Sequence, residues 1–523
     1  MHTGRSNRST TPALTETVGG VLYGYTERGV HTFRGVPYGR AERFKRAHPA
    51  SWDGVRLALV WGENCPISAN NTMGRLEFSN FSGSNLPQNE DCLFANIWTT
   101  SLDDSARLPI ILFIHGGQFT TGSSNQIAYY EGRSLAASGE AVFISVNHRL
   151  NVLGYMDLSE FGDEYADSGN LGHFDLIDAL AWVRANATAF GGDPHSITLV
   201  GQSGGGGKIL SLTGMPAAAG LFHRAWLSSA ATSWRSVETA RAETRSTMER
   251  AGVRTAEELA RLPYLDLLDA ARSAGYAASP VFGSPALPAP VFELGTGSVR
   301  MANDVPLVVT SNLGEFDSNL MRMTSFIQDP SDPFADSCTP EMSPERVRHL
   351  MAERFGERAD DIAGAFSAAY PNHPAADALF MDAGTFFGRT RHELLDAKAA
   401  AGGAPAFGGI IAKNLPAFGG VTPGHTWGDM PFLFANEDMI GRLTAGEDEA
   451  FARYAASLSG ALLAFAKTGD PSTEELPWPR YDAEARTMMV FDDECAPREH
   501  HERELYRLFD EAGRGPAAEE AIR

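Results

Sequence analysis

Solid apolar runs alternate with amphipathic stretches along most of the chain. Residues 108–117 (LPIILFIHGG) and 141–149 (AVFISVNHR) are nearly unbroken hydrophobic runs that end in polar residues. Runs apolar on both faces predict central strands of a sheet covered on both sides, with their polar ends feeding loops. ITLVG (197–201) and VPLVVTSN (305–312) repeat the pattern. LGHFDLIDALAWVRANATAF (171–190) sets Leu171, Phe174, Leu180, Trp182 and Val183 near helical spacing. GGVLYGYTERGVHTFRGVPYG (19–39) alternates and carries turn glycines, so it reads as an antiparallel start. Residues 236–285 and 340–400 read as helical, and 447–469 as a late helix. GAPAFGGIIAKNLPAFGG (403–420) reads as loop with one short strand at best. The pattern predicts an α/β fold: a large, mostly parallel sheet, helices on both faces and inserted helical excursions. No repeat or linker forces a boundary, so residues 1–523 are expected to form one domain, with 1–16 and 500–523 as loose tails.

Composition narrows the classes. The 523 residues are 43% hydrophobic, enough for a sizeable core, and carry a net charge of −22. Such a surface repels nucleic acid and anionic membrane. The four cysteines (Cys65, Cys92, Cys338, Cys495) are too few for a disulfide scaffold, and none has zinc-site spacing. The polar start, MHTGRSNRSTTPALTET, has no apolar core of a signal peptide, and LPIILFI is too short to span a bilayer. A cytoplasmic protein without nucleic-acid or membrane partners is expected, and the sequons at Asn80 and Asn186 are then accidental.

The stretch LVGQSGGGGKI (199–209) carries the chemistry. A phosphate loop would need glycine where Gln202 stands and a hydroxyl where Ile209 stands, so Lys208 does not complete one. Gly201-Gln202-Ser203-Gly204-Gly205 instead matches G-x-S-x-G, a turn between strand and helix that exposes a serine nucleophile, the elbow of α/β hydrolases. Acyl transfer also needs a base, an acid to orient it and donors for an oxyanion. Glu315 follows the strand VPLVVTSN, with Asp317 as the other candidate acid. Of the histidines further on, only His425 lies in a glycine- and proline-containing loop, VTPGHTWGDMPFLF. FIHGGQF closes a central strand with two glycines, which suits an oxyanion loop.

These residues, with others, resemble the type-B carboxylesterases, the cholinesterase and para-nitrobenzyl esterase group. FRGVPYGRAERF, NEDCLFANIW, IHGGQFTTGSS, NHRLNVLGYM, the block from GNLGHFDLIDAL to VGQSGGG, and FAKTGDPSTEELPWPRYD each resemble a segment of that family, over residues 17–493. The resemblance implies an α/β-hydrolase fold and no cofactor. It implies Ser203 as nucleophile, His425 as general base and then acid, and Glu315 as the residue that orients the imidazole. It further implies an oxyanion hole from the N–H groups of Gly117, Gln118 and Gly204, a role for Ser229 behind the histidine, and a disulfide between Cys65 and Cys92. The chain departs from the family's pattern in places. Gln202 replaces a glutamate beside the nucleophile, Gly204 replaces alanine, Gln118 replaces the third glycine of H-G-G-G, and Phe316 replaces a glycine after the acid. Asp429 lies four residues after His425, where the family spaces an acid at three.

The expected function is hydrolysis of small-molecule carboxylic esters through an acyl-enzyme, by a monomer or homodimer. Amide, carbamate or thioester hydrolysis, a lipase, and a non-catalytic binding protein of the same fold are the alternatives. The candidate lid, residues 66–91, is polar, with Met73, Leu76, Phe78 and Phe81 scattered through it, which favours short-to-medium acyl chains over lipid.

Overall fold

The computed structural model describes residues 10–67, 87–296, 298–315, 343–382, 386–416, 427–441, 444 and 446–512. Thirteen strands form one sheet. They are β1 (Thr11–Thr17), β2 (Gly20–Glu27), β3 (Val30–Pro37), β4 (Val55–Leu57), β5 (Phe94–Thr99), β6 (Leu108–Ile114) and β7 (Val142–Val146). The chain continues with β8 (Gly192–Gln202), β9 (Arg224–Ser228), β10 (Leu307–Asn312), β11 (Ala406–Ile411), β12 (Met488–Phe491) and β13 (Ala496–Arg498). Their spatial order is β1-β2-β3-β5-β7-β6-β8-β9-β10-β11-β12-β13, with β4 paired parallel to Val21–Tyr23 of β2. Every pairing from β7 to β12 is parallel, and the outer pairs β1-β2, β2-β3, β3-β5 and β12-β13 are antiparallel.

The apolar runs are continuous because both faces of the sheet are buried. Along β6, Ile110, Leu112 and Ile114 join one core while Ile111 and Phe113 join the other. The first core takes in the helix Leu171–Asn186 through Phe174, Leu176 and Leu180, and the second takes in the helix Asp448–Thr468 through Phe451, Leu458, Leu462 and Phe465. At roughly 1.5–3 kcal/mol for each large side chain fully buried, these two layers dominate the folding free energy. Among the described residues, no helix is long and apolar enough to cross a membrane.

The one short strand allowed within residues 403–420 is β11, which is fully buried between β10 and β12, and two other readings of the sequence need correction. Glycine at 408 and 409 makes that place possible. A Cβ on Gly408 would lie 2.5 Å from Met488 Sδ, and one on Gly409 would lie 3.0 Å from Thr310 Cγ2. Thr11–Thr17, expected in a loose tail, pairs along its whole length with β2. In the other expected tail, Arg503–Glu511 is a helix that buries Leu505, Leu508 and Phe509. Its neighbour Glu502 is buried against Arg391 and Tyr370.

Candidate active site

The register of the central strands brings the predicted groups to one edge. Ile114 lies beside Gly201, Gln202 beside Ser228, and Ser228 beside Thr310. The residues that follow these strand ends (His115, Ser203, Ser229 and, three beyond Asn312, Glu315) therefore emerge together. That edge is the carboxyl end of a parallel sheet, where open α/β folds place their ligand sites.

Ser203 joins β8 to the helix Gly204–Thr213 with φ 55° and ψ −124°. A side chain in this region costs on the order of 1–3 kcal/mol, and the surroundings must hold it there. Ser203 N–H donates to Ser228 O at 2.8 Å, and Ser203 O accepts from Ala231 N–H at 3.1 Å and from Gly207 N–H at 3.2 Å. The glycines that follow let the helix start close to its neighbours. A Cβ on Gly205 would lie 2.1 Å from Ile114 O, and one on Gly207 would lie 1.9 Å from Ala231 O.

The loop after β6 meets that helix start. Gly117 has φ 85° and Gln118 φ 51°, and Gly117 O accepts from Thr120 N–H and Thr121 N–H in a tight turn. A Cβ on Gly204 would lie 2.1 Å from Gln118 Cα, so glycine in place of alanine at 204 makes room for the Gln118 backbone. The N–H groups of Gly117, Gln118 and Gly204 donate to no other atom among the described residues. Gln118 is exposed, so its side chain leaves the packed interior, while Gln202 is buried with Oε1 against Gly116.

Glu315 is buried, with φ 43°. Its Oε1 accepts from Asn312 N–H at 2.6 Å and from the Ser229 hydroxyl, which in turn accepts from Asn312 Nδ2 at 3.1 Å. Its Oε2 is buried without a hydrogen-bond partner among the described residues. Burial pushes the carboxyl up to about 8, against the pull of the Ser229 hydrogen bond, and Asp382 and Asp429 push it the same way as burial. Sequence reasoning placed Ser229 behind the histidine; here its hydroxyl holds the acid. Asn312 was not foreseen, although it closes the strand that leads to Glu315.

His425 and Asp317 lie outside the described residues, as do Cys338, Asn80 and most of residues 66–91. The chain becomes described again at Trp427, and two residues on Asp429 accepts a hydrogen bond from the Ser228 hydroxyl. The segment after His425 is thus tied to the strand end next to Ser229. Burial also raises the Asp429 carboxyl, against the Ser228 hydrogen bond. Cys65 and Cys92 do not form the implied disulfide. Both are buried free thiols, and the Cys65 sulfur accepts from Leu150 N–H at 3.2 Å. Their mutual hydrogen bond and burial hold the Cys92 thiol well above its ordinary value, so it stays protonated. The Asn186 amide is buried on Trp182 O and Val18 N–H and is no glycan acceptor. Among the described residues, no group of three His, Cys, Asp or Glu side chains could hold a metal ion.

Comparison with known proteins shows the family and the fold. Residues 11–508 match the carboxylesterase family. The chain is 30% identical to the para-nitrobenzyl esterase of Bacillus subtilis strain 168, over 94% of this chain and 98% of that one. It is 32% identical to a phenmedipham hydrolase of Pseudarthrobacter oxydans, over 93% and 96%. Among solved structures, an esterase from Clostridium hathewayi described as hydrolysing aliphatic aromatic polyesters superposes with a TM-score of 0.81 at 31% identity, covering 96% of this chain and 100% of that one. A strained serine turn at the carboxyl edge of a parallel sheet and a family match along nearly the whole described chain lead to one conclusion: the protein belongs to the carboxylesterase family and is a carboxylic ester hydrolase of the α/β-hydrolase fold.

Proposed function

We propose that the protein hydrolyses small carboxylic esters of short-to-medium acyl chain through an acyl-enzyme on Ser203, with His425 and Glu315 completing the triad. The observation that carries this reading is the meeting, at one sheet edge, of the strained serine turn, three N–H groups that donate to nothing among the described residues, and a buried carboxyl whose Oε2 has no partner among them. His425 takes the proton of Ser203 Oγ as the oxygen attacks the ester carbonyl. The N–H groups of Gly117, Gln118 and Gly204 receive the negative oxygen of the tetrahedral intermediate. The intermediate collapses, and His425 returns its proton to the leaving alkoxide. Water, deprotonated by the same imidazole, then attacks the acyl-enzyme; a second collapse releases the acid and restores Ser203.

Glu315 suits the orienting role. Ser229 and Asn312 fix one of its oxygens, which leaves Oε2 to accept from an imidazole N–H. An imidazolium forming there would favour the charged carboxylate, against the burial that raises it. The acyl preference rests on the polar character of residues 66–91. The test is hydrolysis of p-nitrophenyl esters from acetate to palmitate, with Ser203→Ala in parallel. Fast turnover of short chains, abolished by the substitution, is expected. Activity confined to long chains would move the reading to a lipase, and full activity in Ser203→Ala would overturn the mechanism.

A further inference from the structure

Behind the oxyanion loop lies a buried basic cluster that the mechanism above does not use. Lys208 is fully buried, and its ammonium donates to His115 O at 3.1 Å. The His115 ring stacks on His148, with centroids 5.0 Å apart, and His173 packs close by on Phe119 and Tyr155. All three histidines are buried. Burial first, and then Lys208, lowers each of them, so the rings are neutral. Burial also draws the lysine down to about 7, with Cys65 opposing, so it shares its proton with solvent near neutral pH.

A buried lysine head group, charged or neutral, with one carbonyl partner among the described residues is expensive to keep, and a methionine of similar length would fill the space without that desolvation cost. Its position suggests what offsets the cost. Lys208 is the first residue of the helix Gly204–Thr213 with a side chain, after four glycines. That helix begins with Gly204, one of the three unclaimed donors. His115 opens the loop that ends in the other two, Gly117 and Gln118. The loop has glycine at 116 and 117, so it has no side chains of its own there to anchor it, and it adopts positive φ at 117 and 118.

We propose that Lys208 is a positioning residue: by binding His115 O it ties the Gly116–Gln118 loop to the helix that carries Gly204 and sets the spacing of the oxyanion hole. This rests on the acyl-enzyme reading above. An oxyanion hole misplaced by a fraction of an ångström loses transition-state stabilisation while substrate binding is little changed.

The test compares Lys208→Met, Lys208→Gln and Ser203→Ala on p-nitrophenyl butyrate, together with hydrogen exchange of the Thr120 and Thr121 amides, which close the loop on Gly117 O. Lys208→Met is expected to lose about 10- to 100-fold in kcat with KM held within about twofold. The two amides should exchange faster, and Tm should hold or rise. Lys208→Gln, which keeps an N–H donor, should lose less, and it carries the same test if the methionine variant fails to fold. Wild-type kcat and unchanged exchange in a folded Lys208 variant, with Ser203→Ala inactive, would reduce the lysine to a core residue and overturn the proposal alone. Full activity in Ser203→Ala would overturn the acyl-enzyme reading and this proposal with it.

Discussion

At the scale of residues, the site is built by substitutions that make sense in pairs. Gly204 and Gln118 are one such pair: the glycine leaves the space that the backbone at 118 occupies. Gly204→Ala is therefore expected to push the oxyanion loop away, at a cost of about 1–3 kcal/mol in stability and a larger fractional loss in kcat than in KM. Denaturant unfolding and steady-state kinetics on one preparation would check both. Glu315→Gln preserves volume but ends the charge that the proposed triad sets against the His425 imidazole. It is expected to lower kcat on the order of 10³- to 10⁴-fold, as loss of the orienting acid does in other triads. The amide keeps an oxygen for the Ser229 and Asn312 hydrogen bonds without a buried charge, so Tm should be unchanged or raised, as thermal unfolding would show. The placement of Ser203, Glu315 and the Gly117–Gln118 loop at one sheet edge was legible in the sequence because each follows a strand marked by an apolar run. Asn312 and the Ser228–Asp429 tie were not, because hydrogen bonds between distant loops leave no periodic trace.

At the scale of elements, the apolar runs foretold the central strands, and glycine weakened the signal of one of them. β11 reads as one short strand at best because Gly408 and Gly409 interrupt its apolar run, yet those glycines admit Met488 and Thr310 to close contact. The charged C-terminal stretch misled for another reason. Its anchor is one buried carboxylate: Glu502 pairs with Arg391, accepts from Tyr370 OH at 2.7 Å and meets His392 Nε2 at 3.3 Å, while Arg391 also binds Ser311 on β10. Burial alone would raise the Glu502 carboxyl, but Arg391 overrides it and holds the group down at about 2. A depressed carboxyl contributes stability that is present above its ordinary range near 4.5 and is lost as pH falls through about 2. Glu502→Gln leaves Arg391 buried without its counter-charge and is expected to cost about 3–5 kcal/mol. Urea unfolding near neutral pH should show that loss, and a loss under about 1 kcal/mol would mean that the pair is dispensable.

At the scale of the whole molecule, net charge −22 gives a surface that repels other anions, and it says nothing about the reaction. One cation deserves weight in the pH response of the fold. His373 lies between Asp377 at 3.2 Å and Asp492 at 3.0 Å, joining the segment Ala375–Phe380 to the end of β12. Burial would lower the imidazole, but the two carboxylates raise it to about 9. A raised histidine contributes stability that is complete below its ordinary 6.5 and disappears as pH rises through about 9. The stability gap between wild type and Asp492→Asn, about 1–3 kcal/mol below that window, should therefore shrink across it. A gap constant with pH would show that the pair is not charged. Whether Ser203 is the nucleophile is decided by mass-spectrometric mapping of a fluorophosphonate adduct on the folded enzyme. One equivalent of label is expected on the peptide containing Ser203, with ester hydrolysis lost in step. Label on another residue, or none on an enzyme that still hydrolyses esters, would contradict that role.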